Sequence, residues 1–184
     1  MKKTKFVLLT SVILVLVFAL CACDFVIKDF AKYSEAMTKS MDSVTSVGSH
    51  ITMQDQGVLV YEYQRNMAID GNNATITTVE KTLNSSFQLA ETSNTEQKSG
   101  VDRAQLLPIS LSQYSAKDLK MESDKLSCTV SAEDFASVMK LGSYEIGGNA
   151  NITCEVEKKT LTKITCEFDT KDGKHVQIVH AFNY

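Results

Sequence analysis

Leu59, Tyr61, Tyr63, Arg65, Met67 and Ile69 occupy alternate positions, and the face they form is apolar except for the arginine. A period of two predicts a strand with one buried side. Asp70-Gly71-Asn72-Asn73 predicts a turn, and Thr75, Thr77, Val79 and Lys81 suit the returning strand. Upstream the period changes. Val26, Phe30, Tyr33, Met37, Met41 and Val44 recur at steps of three and four, which predicts a helix over 26–46 ending near Gly48. Lys28, Asp29, Lys32, Glu35 and Lys39 fall between them as a solvated face of mixed charge, so this helix is expected to pack on a sheet. Thr92 to Gly100 has no apolar residue and predicts an exposed loop tip.

The middle of the chain is less regular. Leu106, Leu107, Ile109 and Leu111 surround Pro108, which prevents a clean helix interior. Leu119–Glu122 and Lys125–Val130 read as a hairpin across Ser123-Asp124. Ser131, with Asp134 three residues on, predicts the cap of a short helix; Phe135, Val138 and Met139 form its apolar side and Gly142 its stop.

The last third alternates most clearly. Ala150, Ile152, Cys154 and Val156 form one strand face, and Ile164, Cys166 and Phe168 a second. After a Lys171-Asp172-Gly173 turn, Val176, Ile178, His180, Phe182 and Tyr184 form a third, giving three antiparallel strands with one wet face. The first two apolar sets are both even-numbered, so paired residue numbers should sum to an even value. A plain two-residue loop at Lys158-Lys159 gives an odd sum and turns one set outward, which predicts a loop of three or five residues, or a bulge.

The N-terminus carries a different signal. Lys2, Lys3 and Lys5 precede an almost wholly apolar run from Phe6 to Leu20. That run makes roughly 22 Å of helix, short of the roughly 30 Å hydrocarbon core, and reads as a secretory signal. Leu20-Cys21-Ala22-Cys23 resembles the bacterial lipobox, with Ala22 before the cleaved bond and Leu20 at the aliphatic position. The resemblance implies a signal peptide over 1–22, a diacylglyceryl group on Cys23, and one lipid-anchored extracytoplasmic domain over 23–184. Two acyl chains hold a protein stably at a bilayer.

Composition narrows the partners. Removing 1–22 takes three lysines and no acid from 19 basic and 22 acidic residues, leaving a net charge of −6. An acidic chain without a basic block argues against nucleic acid and against charge-driven binding to anionic headgroups. With Cys23 acylated, Cys128, Cys154 and Cys166 remain, so at most one disulfide forms among them. Cys154 and Cys166 face one core and are the candidate pair.

The chemistry-bearing residues are few. His50, His175 and His180 are the only histidines. His180 lies on a face with Cys154 and Cys166 within conceivable reach, but no ligand pair has metal-site spacing; a core or rim histidine is the reading, with no metal and no cofactor. No G-x-S-x-G, HExxH or Gly-rich phosphate loop occurs, so no enzyme is expected. Tyr61, Tyr63, Met67, Leu106, Leu107, Ile109, Phe135 and Met139 either line an apolar cavity or fill an ordinary core.

The element order, together with the lipobox, is similar to the half-barrel of the LolA/LprG-type envelope lipoproteins and lipoprotein carriers. That resemblance implies an α+β fold: a curved antiparallel sheet packed against an N-terminal helix and a short middle helix. It implies a protein on the outer face of the cell membrane that binds or transfers a lipid. The alternative is a structural or interaction lipoprotein with a filled core, accessory to an envelope protein complex.

Overall fold

The computed structural model describes residues 30, 31, 33–112, 114–122, 124–139 and 144–184. The expected signal, Cys23, the start of the expected helix, Ser123 and Gly142 lie outside the described residues. The chain divides into two units between Glu35 and Ala36. In the first, Phe30, Ala31, Tyr33, Ser34 and Glu35 are helical.

In the second unit, residues 36–40 are helical and Met41–Ser43 form a 3-10 turn. Val44 is already extended, at φ −60° and ψ 128°. Met37, Met41 and Val44 are buried, as their spacing requires. Gly48 does not stop a helix; it lies inside the strand Ser46–Asp55, and the α-helix expected over 26–46 ends at Ser40.

Nine strands follow: β1 Ser46–Asp55, β2 Val58–Asp70, β3 Asn73–Leu83, β4 Leu89–Ser99, β5 Lys117–Met121, β6 Lys125–Val130, β7 Ala150–Glu157, β8 Thr160–Asp169 and β9 His175–Asn183. They form one antiparallel sheet in the order β4-β3-β2-β1-β9-β8-β7-β6-β5. The sheet is open, with β4 and β5 at its two edges. The expected loop tip at Thr92–Gly100 is instead most of β4, paired along its length with β3. All eleven residues of β4 are exposed. Its polarity reports exposure on both faces, and backbone pairing to β3 makes it a strand regardless.

The turns explain the register. Gln56 (φ 48°) and Gly57 (φ 83°) close β1–β2 as a two-residue loop with both residues left-handed. Lys158 (φ 49°) and Lys159 (φ 68°) do the same for β7–β8. Glu157 pairs with Thr160, but Glu155 pairs with Lys163, so an extra residue enters between them. That bulge restores the even sum: Cys154 faces Ile164, and Ile152 faces Cys166. Both apolar sets thereby keep to the inner face.

The core sits on that inner face. Leu126, Ile152, Leu161, Ile164 and Ile178 are fully buried, each contributing roughly 1.5–3 kcal/mol by burial. Ser131 caps the short helix Ala132–Val138, its hydroxyl accepting from the Asp134 amide at 3.3 Å. The helix ends before the expected Gly142 stop, because Met139 is extended (ψ 123°) and bridges to Ile109. Phe135 meets Phe168 edge to face at 4.8 Å between centroids, and Tyr144 meets Phe168 at 5.3 Å.

Residues 100–116 connect β4 to β5, opposite edges of the sheet. This connector is tied down as it crosses. The Val101 amide donates to Asn72 O at 3.0 Å and the Ser110 amide to Val138 O at 2.8 Å. Between them, the Arg103 guanidinium donates to Val44 O at 2.7 Å and Met41 O at 3.3 Å.

Candidate functional site

One cross-strand row carries the site. Directly opposed residues run from Asn94 on β4 through Thr78, Arg65, Ser49 and His180 to Ile164, Cys154 and Leu126 on β6. The row is polar from β4 to β9 and apolar from β8 to β6. His180 stands at the junction. It is 1 % exposed, and its Nδ1 lies 2.9 Å from Ser49 Oγ, which is also buried. Its Nε2 is buried without a hydrogen-bond partner among the described residues. Burial, and then the positive charge of Arg65, lower its pKa from 6.5 to about 4, so the imidazole is neutral near pH 7.

A cavity of about 160 Å³ opens beside this junction. Its floor is the inner face at Val47, Ser49, Arg65, Met67 and His180, and its roof is the connector at Val101, Leu106 and Pro108. Lys98 on β4 and Asp102 stand among its walls. The Asp102 carboxylate already accepts from the Ala104 amide at 3.0 Å. The Arg65 guanidinium and the Lys98 ammonium have no hydrogen-bond or ion-pair partner among the described residues.

The eight expected cavity residues are not brought together. Met67 and Leu106 line this cavity. Ile109, Phe135 and Met139 are 1 %, 2 % and 4 % exposed and fill the core around the short helix. Leu107 is half-buried in the connector. Tyr61 and Tyr63 are half-buried on the inner face of β2. Tyr61 is pushed up to about 12 by burial and then by the Glu80 carboxylate.

The expectation of an apolar lining missed the polar half of the site. Its signal was present: Arg65 interrupts the apolar alternation of β2, and His180 that of β9. Only strand order makes them neighbours across Ser49.

The three described cysteines are free and buried. Cys154 and Cys166 lie diagonally across β7–β8, and no disulfide joins them. Desolvation raises all three thiols, Cys128 to about 11 and Cys166 to about 12. Ile164 separates His180 from Cys154 in the row, and no group of three or more metal-ligating side chains forms among the described residues.

The outer face holds a shallower, open hollow of about 520 Å³ over β1–β3, lined in part by Gly48, His50, Gln64 and Thr77. Beside it, Glu62 accepts from His50 Nε2 at 2.9 Å, Gln64 Nε2 at 2.8 Å and Lys81 Nζ at 2.9 Å. These bonds, Lys81 first, hold its carboxyl down at about 2.

No family model matches the chain, and no curated protein matches it. Among solved structures it is similar to a redesigned beta barrel, mFAP1, bound to DFHBI, at 11 % identity over 77 % of this chain and 97 % of that one, with a TM-score of 0.22. A second redesigned beta barrel is 7 % identical over 80 % of this chain and 97 % of its own, with a TM-score of 0.24.

Proposed function

We propose that this protein is an extracytoplasmic lipoprotein, anchored through a diacylglyceryl group on Cys23, whose sheet domain binds a small ligand beneath the connector. The observation that carries the binding reading is a preformed cavity, about 160 Å³, lined by His180, whose buried Nε2 has no partner among the described residues. Native interiors seldom leave such an atom unsatisfied, and a ligand is one way to satisfy it. We read the protein as a binding protein rather than an enzyme.

The volume sets the ligand class. Pockets for drug-sized molecules run to roughly 300–1,000 Å³, so this cavity suits a small molecule or a headgroup rather than a whole lipid. A half-barrel with its helices inside remains the architecture this reading implies. A second reading, a structural lipoprotein accessory to an envelope complex, draws on Ile109, Phe135 and Met139. These would line a carrier's cavity, and they are packed solid.

Two measurements test the proposal. Cells fed an alkyne fatty acid should label the wild-type chain and the Cys21→Ala variant but not Cys23→Ala; equal labelling of all three overturns the anchor. Native mass spectrometry of the full chain in detergent should show a stoichiometric small adduct, lost in Met67→Glu. A bare mass that takes up nothing when small metabolites and lipids are offered overturns the binding reading in favour of the accessory role.

A further inference from the structure

We infer that the inner cavity is an oxyanion site, taking a carboxylate or phosphate group between Arg65, Lys98 and the Nε2–H of His180. This deepens the ligand-binding reading and rests on it. Three observations converge. Two cationic side chains line one cavity, and neither has an anionic partner among the described residues. The buried His180 imidazole lines the same cavity, and its Nε2 has no partner among the described residues. Among the described residues Asp102 is the one carboxylate in the wall, so the lining carries a net positive charge, and that carboxylate is already engaged by the Ala104 amide.

With the Ser49 hydroxyl taken as the donor to Nδ1, the imidazole proton sits on Nε2, where it can donate to an oxyanion. Arg65 offers a planar fork that matches a carboxylate or phosphate edge, and Lys98 a mobile point charge at the exposed rim. At about 160 Å³ the cavity holds roughly five water volumes, enough for such a group with a few attached atoms. The apolar walls at Val47, Met67 and Leu106 suit a short hydrocarbon portion next to the charge. The same chemistry is found on a free small acid and on an anionic lipid headgroup.

Histidine side-chain NMR of the full chain in neutral detergent tests this, with ionic strength held constant by chloride. The probes are inorganic phosphate, acetate, acetamide as the uncharged match for acetate, and phosphatidate mixed into the micelle. His50 and His175, bonded to Glu62 and Asp169 on the outer face and at a strand end, serve as internal controls. The expected result is a saturable shift of the His180 Nε2 signal with an anion and none with acetamide. Lys98→Gln, at an exposed position that should not disturb folding, is expected to weaken binding about tenfold, as is Arg65→Gln. A response to phosphate or acetate assigns a free anion; a response to phosphatidate alone assigns a headgroup. An equal response to acetamide overturns the oxyanion assignment and leaves the ligand-binding reading standing. Silence with all four probes overturns the oxyanion assignment, and the adduct measurement above decides the ligand-binding reading by itself.

Discussion

Ser49 and His180 oppose each other directly across β1 and β9, with Oγ and Nδ1 2.9 Å apart and both residues buried. The serine satisfies one ring nitrogen and leaves the other without a partner among the described residues. Removing that hydroxyl by Ser49→Ala orphans both nitrogens. It should cost about 1–3 kcal/mol in urea unfolding at neutral pH.

The same imidazole makes stability depend on pH. Its pKa is lowered by burial, then by Arg65, from 6.5 to about 4. Between those values the unfolded chain binds the proton and the folded chain does not, so stability falls as pH falls. The contribution is complete above about pH 6.5 and about 3 kcal/mol smaller at pH 4. Urea midpoints measured across that window should fall for the wild type and stay nearly level for His180→Gln. Glu62, held down at about 2, is lost only below its ordinary value of 4.5, so the two steps separate on the pH axis.

Phe168 joins the sheet to its covering segments. Its ring contacts Phe135 and Tyr144, and the residue is 3 % exposed. Phe168→Ala should cost about 3–5 kcal/mol, read as a lower unfolding midpoint with an unchanged denaturant slope.

Lys159 adopts a left-handed backbone at φ 68°. Glycine takes that conformation freely, whereas an L side chain is strained there by about 1–2 kcal/mol. Lys159→Gly should therefore raise thermal stability by about 1 kcal/mol. Ala at the same place should not.

The thiols give a chemical readout. Cys128, Cys154 and Cys166 are buried and their pKa values raised by desolvation, so the thiolate is scarce at neutral pH. Iodoacetamide followed by peptide mapping should leave all three unmodified in the native chain and alkylate all three in urea. A native Cys154–Cys166 disulfide, seen as a linked peptide, would contradict the free thiols.

Much of the sheet was legible because burial on one face imposes a period of two, as in β2, β7, β8 and β9. At β7–β8, counting two even-numbered apolar sets across Lys158-Lys159 called for either a longer loop or an extra residue, and the chain takes the extra residue. The strand β4 was not legible, because a strand exposed on both faces has no apolar period; its hydrogen bonds to β3 carry no side-chain signature. The helical stripe through Met41 and Val44 ran past the helix end, since buried residues of a 3-10 turn and an extended segment continue the same spacing.

By itself the sequence determined which residues of β2, β7, β8 and β9 face inward, including the two polar exceptions Arg65 and His180. Only the tertiary structure decided that they meet. Strand order sets β9 beside β1, so residues 131 positions apart become hydrogen-bonded neighbours, and the connector closes over them. Periodicity is a local property of the chain. Adjacency of strands is not, and the site exists only through adjacency.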